Sequence, residues 1–302
     1  MKDLIIIGAG IAGLTAAIFA LRAGINVTVI ESDVYGGQAT LTNEIENYPG
    51  FEKISGAELA QIVYNQAEKL GAEFIFDEVK SINFANDVKT VNTSGQSLNS
   101  RAVIIANGLK RRTLGCKGES EFTGRGVSYC ATCDGSFFKD KPVVVIGGGN
   151  TALEDAIYLS NVCSKVTLIV RKDHFKGEDY LIKSVEKIPN IEIIMKSNIK
   201  EINGNKSVES IVVVHNNGDT IEIPISGIFV AIGYQPQNEI YKGQVHMDEI
   251  GYFISDETCM TNVPGVYVAG DCRMKMLRQL VTAASDGAVA GNQASKFIMQ
   301  SK

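Results

Sequence analysis

The first thirty residues alternate between short apolar runs and glycine-rich or helical stretches. Leu4–Ile7 is an apolar run without a polar side, which is typical of a central parallel strand that is covered on both faces. The sequence GAGIAG follows at residues 8–13, and Leu14–Ala23 predicts a helix that Gly24 ends. Because Val27–Ile30 then indicates another buried strand, this segment predicts a strand–helix–strand unit of the dinucleotide-binding kind.

The same pattern recurs in the middle of the chain. Val143–Ile146 is again wholly apolar, and the sequence GGGNTA follows it at residues 147–152. Leu153–Asn161 predicts a helix, and Val166–Val170 predicts the strand that closes the unit. Two such units predict an α/β protein with two nucleotide sites.

The remaining apolar segments predict shorter strands and two further helices. The predicted strands are 74–76, 81–84, 89–93, 102–106, 191–195, 210–214, 220–223, 228–234 and 266–269, and the predicted helices are 56–70 and 278–294. The polar stretches 109–113 and 235–237 are typical of linkers. We therefore predict one domain from residues 1–110 and 238–302, with residues 111–237 inserted into it as a second domain.

The residues that end the second strand of each unit predict different ligands. In the first unit the glycines allow a close approach to a pyrophosphate, and Glu31 can accept a hydrogen bond from a ribose hydroxyl. In the second unit the strand ends in Arg171 and Lys172, with Lys176 nearby, and basic groups attract a 2′-phosphate. We therefore expect FAD in the first domain and NADP rather than NAD in the second. A glycine-rich turn in an unrelated fold and a solvated basic loop are the plainer alternatives.

Two closely spaced cysteines indicate redox chemistry. Cys130 and Cys133 can close a small disulfide or stay apart as a dithiol, and the carboxyl group of Asp134 could pass a proton. If a helix begins at Ser136, its positive end favours thiolate over thiol. The alternatives are half of a zinc site, which lacks a second CxxC or HxxxH here, and a structural disulfide, which is disfavoured without a secretion signal.

Composition excludes several other classes of protein. The net charge is −5 and no long basic run is present, which argues against a nucleic-acid binder. The most apolar segment, 11–21, is shorter than the ~20 residues of a membrane span. Four more cysteines are scattered at Cys116, Cys163, Cys259 and Cys272, as in a reducing compartment. We therefore expect a cytoplasmic protein with no membrane, nucleic-acid or metal partner.

Together these motifs resemble the low-molecular-weight thioredoxin reductases, which are flavoproteins with two dinucleotide-binding domains. The resemblance covers essentially the whole chain, and its most specific feature is the sequence CATCD at 130–134 within the second domain. It implies an α/β fold of two Rossmann-like domains in three layers (ββα), with the NADPH domain inserted into the FAD domain. It also implies a homodimer.

The resemblance implies a route for electrons from NADPH to FAD, then to Cys130–Cys133, and then to thioredoxin. Cys133 would face the flavin, Cys130 would attack the thioredoxin disulfide, and Asp134 would donate or accept a proton. Cofactor-binding residues are predicted at Gly8, Gly10, Ile11, Ala12, Gly13, Glu31, Gly36, Gly37, Gln38, Asn47, Ala106, Gly108, Gly147, Gly149, Asn150, Thr151, Ala152, Arg171, Lys172, Lys176, Gly233, Gly270, Asp271, Arg278, Gln279 and Leu280.

Two stretches depart from the family pattern. The usual His-Arg-Arg, followed by a further Arg, is Val170-Arg171-Lys172 with Lys176, so two lysines replace planar forks and NADPH binding should be weaker. The usual threonine after the strand that ends near Ala106 is Asn107.

Two other functions stay open at this point. In the first, the same dithiol flavoprotein is reduced by ferredoxin, as in some relatives with degraded nicotinamide sites. Val170 is consistent with this hypothesis, whereas the intact GGGNTA argues against it. In the second, the chain is a flavin-binding protein that acts as a sensor without catalytic turnover. Such a protein has no need of a dithiol beside a proton carrier.

Overall fold

The computed structural model describes residues 1–42 and 45–300, which divide into two compact units. Unit 1 consists of Met1–Lys110 and Gln235–Lys302, and unit 2 is Arg111–Tyr234. The chain thus returns to unit 1 at residue 235, three residues before the predicted 238. Residues 235 and 236 are part of a short strand, Tyr234–Pro236, that pairs with Leu109–Arg111 where the chain first leaves unit 1.

Strands and helices alternate along both units. The strands are β1 (Lys2–Ile7), β2 (Val27–Glu31), β3 (Glu73–Phe76), β4 (Val79–Asn83), β5 (Lys89–Thr93), β6 (Ser97–Ile105), β7 (Leu109–Arg111), β8 (Val127–Ser128), β9 (Pro142–Ile146), β10 (Lys165–Ile169), β11 (Ile191–Ile194), β12 (Ser197–Gly204), β13 (Val208–His215), β14 (Thr220–Pro224), β15 (Gly227–Val230), β16 (Tyr234–Pro236) and β17 (Val266–Val268). The helices are α1 (Ile11–Arg22), α2 (Gly56–Lys69), α3 (Glu119–Phe122), α4 (Ala131–Asp134), α5 (Asn150–Ser160), α6 (Asp179–Lys187) and α7 (Leu280–Gln300).

Unit 1 is built on a sheet whose parallel part has the order β3-β2-β1-β6-β17. The long strand β6 also pairs antiparallel with β5, and β5 with β4. Successive residues of β1 enter different cores, as an apolar strand covered on both sides requires: Leu4 packs in one cluster with α1, α2 and α7, while Ile5 packs in the other with Phe253.

Unit 2 repeats this plan with a parallel sheet of order β11-β10-β9-β15-β8. Val145 of β9 faces α5 and α6, and its neighbour Val144 faces the antiparallel sheet β12-β13-β14. Both units therefore have α/β architecture around parallel strands, which confirms the predicted fold class.

Several predicted bounds were wrong for local reasons. The predicted strand 228–234 is interrupted, because Gly233 takes a left-handed φ of +86°, and it forms β15 and β16 instead. The predicted linkers contain strands, since β7 pairs with β16. The last helix begins at Leu280, so Arg278 and Gln279 precede it. Among the described residues, no helix combines the length and the apolar character that a bilayer crossing needs.

Candidate active site

The two cysteines of the CATCD sequence form a disulfide. The Cys130 and Cys133 sulfurs are 2.08 Å apart and their Cα atoms 5.3 Å apart. The condition of a helix that begins at Ser136 is not met: the helical turn α4 lies over the motif itself, and a 3-10 turn, Gly135–Phe138, follows it. Two local groups face Sγ of Cys130: the Cys133 N–H donates to it at 3.3 Å, and the Thr132 hydroxyl lies 3.5 Å from it.

Ser128, which the sequence reading missed, joins the disulfide to the carboxyl group. Its buried hydroxyl accepts a hydrogen bond from the Cys130 N–H at 3.1 Å and donates one to Oδ2 of Asp134 at 2.7 Å. The structure thus brings Cys130, Cys133 and Asp134 together. A small hydroxyl residue two positions before the CxxC was the available signal.

Glu119 is a second side chain that the sequence analysis did not identify, and it holds Tyr129, the residue before Cys130. The buried Glu119 accepts hydrogen bonds from the N–H groups of Leu114 and Gly115 and from the Tyr129 hydroxyl, each at 2.8 Å. The guanidinium of Arg111 lies 3.9 Å from the centroid of the Tyr129 ring. Burial, and then the hydrogen bond to Glu119, raises the pKa of Tyr129 to about 12, so this side chain holds its proton.

The glycines of the first fingerprint have two different roles. A Cβ on Gly13 would lie 1.9 Å from the carbonyl oxygen of Gly8, and a Cβ on Gly8 would lie 2.4 Å from that of Ala106, so both keep the turn tight. A Cβ on Gly10 would meet nothing within 4 Å, which leaves space beside the start of α1 at Ile11. That space fits a pyrophosphate at a helix N-terminus.

Neighbouring loops close around this turn. Glu31 accepts hydrogen bonds from the N–H groups of Ala9 at 2.7 Å and Ser32 at 2.9 Å, so its carboxylate also fixes the loop. The Gly36 N–H donates to the Ala9 carbonyl oxygen at 2.7 Å, and Gly37 and Gln38 begin the 3-10 turn that follows.

The opposite side of this site is formed where β6 and β17 end. Gly270 packs on α1, because its Cβ would lie 2.9 Å from that of Ala12. Next to it, Oδ1 of Asp271 is buried without a partner, and burial raises the pKa of that carboxyl group. A buried acceptor without a partner among the described residues fits the hydroxyl-bearing chain of a flavin dinucleotide.

The last predicted residues of unit 1 lie before α7. The Nε of Arg278 lies 3.3 Å from the Asp271 carbonyl oxygen, and the Nδ2 of Asn47 donates to Oε1 of Gln279 at 3.1 Å. Unit 1 therefore gathers the predicted residues from 8–13, 31, 36–38, 47, 106, 108, 270, 271 and 278–280, whereas Gly233 belongs to unit 2.

The second fingerprint has the same division of roles. A Cβ on Gly147 would lie 2.3 Å from the Ala231 carbonyl oxygen, while a Cβ on Gly149, just before α5, would meet nothing within 4 Å. The Oδ1 of Asn150 accepts from the Glu178 N–H at 2.8 Å, so that amide oxygen is already used. Thr151 is exposed beside the open space, and Ala152 is buried.

The basic residues of unit 2 lie on an exposed loop. The Lys176 N–H donates to the Gly148 carbonyl oxygen at 2.6 Å, which holds the loop against the glycines, and the side chains of Arg171, Lys172 and Lys176 are in solvent. Val170 is only 3% exposed and packs in the core. The open glycine and the three cations fit a nucleotide with a 2′-phosphate.

The other thiols differ from the CxxC pair. All four are free, and burial raises the pKa of Cys116 and Cys163 to about 11 and that of Cys259 and Cys272 to about 12. A thiol with such a pKa carries little thiolate at neutral pH and is a poor nucleophile. Within the part of the chain that the structure describes, no three His, Cys, Asp or Glu side chains are placed to share a metal ion.

Comparisons with known proteins agree with this geometry. Residues 2–287 match the family model described as pyridine nucleotide-disulphide oxidoreductase. The chain is 41% identical to a thioredoxin reductase of Listeria innocua, over 99% of this chain and 95% of the relative, and 41% identical to one of Peptoclostridium acidaminophilum, over 98% and 96%. The crystal structure of thioredoxin reductase from Streptococcus pyogenes is similar with a TM-score of 0.85 and 40% identity, over 99% of both chains.

Proposed function

This chain belongs to the pyridine nucleotide-disulphide oxidoreductase family, and from that premise we propose how its residues share the work of thioredoxin reduction. The protein is a low-molecular-weight thioredoxin reductase, an enzyme that uses FAD and NADPH to reduce a disulfide of thioredoxin. The observation that supports this function best is the Cys130–Cys133 disulfide beside Asp134, with the Ser128 hydroxyl bonded to both the Cys130 N–H and the Asp134 carboxyl group.

We assign separate roles to the two sulfurs. Two electrons open the Cys130–Cys133 bond, and Cys133 is the sulfur on the flavin side. The Cys130 thiolate then attacks the thioredoxin disulfide to form a mixed disulfide, and attack by Cys133 on Cys130 releases thioredoxin with both of its sulfurs reduced. Asp134 supplies a proton to the leaving sulfur and is held in place by Ser128.

The cofactors are assigned to separate units. Unit 1 binds FAD through the open Gly10 turn, Glu31 and Asp271, and unit 2 binds NADPH through Gly149, Arg171, Lys172 and Lys176. When bound, FAD passes electrons from the nicotinamide to the disulfide. Reduced ferredoxin is not favoured as the donor, since the relatives named above are thioredoxin reductases at 40–41% identity.

The test is anaerobic mixing of the oxidised, FAD-loaded protein with NADPH, NADH or reduced ferredoxin, with the flavin absorbance as the signal. We expect rapid bleaching with NADPH, followed by NADPH-dependent reduction of thioredoxin. Bleaching by ferredoxin alone would refute NADPH as the donor, and a protein that retains no flavin would refute the whole function.

Two single cysteine variants test the role of the dithiol. Cys133→Ser should still be bleached by NADPH and should lose thioredoxin turnover by at least about 10³-fold, because no disulfide can accept the electrons. Cys116→Ser, which removes a free thiol of the same unit, should turn over normally. Thioredoxin turnover by the Cys133→Ser variant at the normal rate would contradict the mechanism.

We further propose that the protein works as a homodimer in the cytoplasm. The family resemblance supports the dimer, and the four free thiols support a reducing compartment. Light scattering of the FAD-loaded protein should give twice the chain mass of 32.5 kDa, and a monomeric mass would contradict the dimer.

A further inference from the structure

Asn107 follows β6 at the point where the resembled family carries threonine. It borders the first fingerprint, because a Cβ on Gly8 would lie 3.1 Å from the Cα of Asn107. The residue after it, Gly108, has a left-handed φ of +62°, and a Cβ there would meet nothing within 4 Å. Residue 107 therefore lies beside the turn to which we assign FAD.

A chain of hydrogen bonds determines which way the Asn107 amide points. The Nδ2 of the buried Asn238 donates to the carbonyl oxygens of Gly251 at 2.8 Å and Cys272 at 3.3 Å, which fixes that amide. The Oδ1 of Asn238 accepts from the Nδ2 of Asn107 at 2.9 Å, and the same Nδ2 lies 3.2 Å from the Gln237 carbonyl oxygen. Exchanging oxygen and nitrogen in Asn107 would place oxygen against oxygen at both contacts.

The remaining atom of this amide has no partner among the residues that the structure describes (1–42 and 45–300). Oδ1 of Asn107 is buried and accepts no hydrogen bond, and the same is true of Oδ1 of Asp271. The two residues share a neighbour, since Asn238 bonds both Asn107 and the carbonyl oxygen of Cys272, the residue after Asp271. Because buried acceptors are normally satisfied, these two oxygens indicate a ligand with more than one donor group.

We propose that Asn107 binds FAD directly: its Oδ1 accepts a hydrogen bond from an N–H or O–H donor of the flavin ring or its ribityl chain, while its Nδ2 holds the loop to Asn238. An asparagine can donate to Asn238 and accept from the ligand through two separate atoms, Nδ2 and Oδ1, whereas a threonine would have to reach both partners with one shorter hydroxyl. This deepens the proposed function, on which it rests only for the binding of FAD.

The test measures FAD binding to the apoprotein by quenching of flavin fluorescence, which needs no turnover. Asn107→Ala should bind FAD about tenfold more weakly than the wild type, because one hydrogen bond to the ligand is lost. Asn107→Thr keeps the family residue, should fold, and should show the same weakening. Asn262→Ala is the matched control: it loses amide bonds to His246 and Gln244 in the same unit, away from the site, and should bind FAD like the wild type.

Two FAD analogues identify the donor. One is methylated at the ring N3 and the other has an alkyl chain in place of the ribityl hydroxyls. For one of the two analogues, the ratio of its dissociation constant to that of FAD should be about tenfold larger in the wild type than in Asn107→Thr. Comparing two ligands in two proteins in this way isolates the hydrogen bond to residue 107. Unchanged FAD affinity in both Asn107 variants, or equal preference in wild type and variants for both analogues, would overturn the inference. Failure of the wild type to bind FAD at all would instead refute the proposed function.

Discussion

At the scale of single residues, the hydroxyl of Ser128 connects the sulfur chemistry to the proton carrier. Ser128→Ala removes the 2.7 Å bond to Asp134 and leaves the Cys130 N–H without its acceptor. Hydrogen bonds contribute about 0.5–3 kcal/mol, so thioredoxin turnover should fall by about 3- to 100-fold.

Stopped-flow spectroscopy separates this effect from general damage. Flavin bleaching by NADPH should stay normal in Ser128→Ala, because the serine acts only on the dithiol step, and Ser128→Thr should recover most of the turnover. Equal losses in the bleaching and thioredoxin steps would show that Ser128 only maintains the fold.

Asp155 makes stability depend on pH. It is a partly buried carboxyl group on α5, and burial, followed by the charge of Glu154, raises its pKa to about 7. Between about pH 4 and pH 7 the folded state keeps a proton that the unfolded state has released, so stability falls as pH rises through this window and stays low above it.

Asp155→Asn removes this dependence, because an amide does not ionise. At pH 8 the variant should be more stable than the wild type by about 1–3 kcal/mol, and the difference should vanish near pH 4. Thermal unfolding at both pH values checks this, with Glu154→Gln, an exposed neighbour, as the control that should shift much less. An equal difference at pH 4 and pH 8 would rule out ionisation as the cause.

At the scale of elements, the strand-to-helix turn before α1 holds two glycines that should respond differently to the same change. Gly13→Ala places a methyl group 1.9 Å from the Gly8 carbonyl oxygen, so the turn must open and the protein should lose several kcal/mol of stability. Gly10→Ala meets no protein atom and has a permissive φ of −71°, so its melting temperature without FAD should stay near that of the wild type.

FAD binding distinguishes the two variants. The Gly10→Ala methyl group occupies the space that we assign to the pyrophosphate, so FAD should dissociate at least about tenfold more readily. Apoprotein melting and FAD titration measure the two effects separately. Normal FAD affinity in Gly10→Ala would show that the pyrophosphate does not occupy this space.

The strands and helices also show how much of the secondary structure could be predicted from the sequence. β1 and β9 were predictable because their central segments, Leu4–Ile7 and Val143–Ile146, are apolar throughout and buried on both faces. α6 was missed because only Leu181 and Val185 of its nine residues are buried, and β12 because bulges interrupt its alternation. The helical turn Ala131–Asp134 was not predicted, since a four-residue helix has too few positions to show a period.

The candidate site likewise contains residues that could be predicted from the sequence and residues that could not. The sequence located Cys130, Cys133 and the glycines because spacing along the chain defines them. Ser128 and Asn107 depend on the direction of single hydrogen bonds, and Glu119 meets Tyr129 only through the tertiary fold. No periodic pattern contains such information.

At the scale of the whole molecule, the two units have separate cores. Two hydrophobic clusters consist only of unit 1 residues and two only of unit 2 residues, with Ile104 fully buried in the first set and Leu153 in the second. Each unit therefore has its own stabilising interior, and the molecule should melt in two transitions in calorimetry.

Ligands and core variants should assign those transitions. Saturating FAD should raise only one melting temperature and NADP⁺ only the other, because a ligand stabilises the unit that binds it, by about 2.7 kcal/mol at one hundred times its dissociation constant. Ile104→Ala should lower the melting temperature of the FAD-sensitive transition, and Leu153→Ala that of the NADP⁺-sensitive one. Each variant should reduce the free energy of unfolding of its own unit by about 2–5 kcal/mol. If either alanine variant lowered both transitions equally, or if one ligand raised both, the cofactors could not be assigned to independent units, and the division of binding residues between the two glycine turns would have to be abandoned.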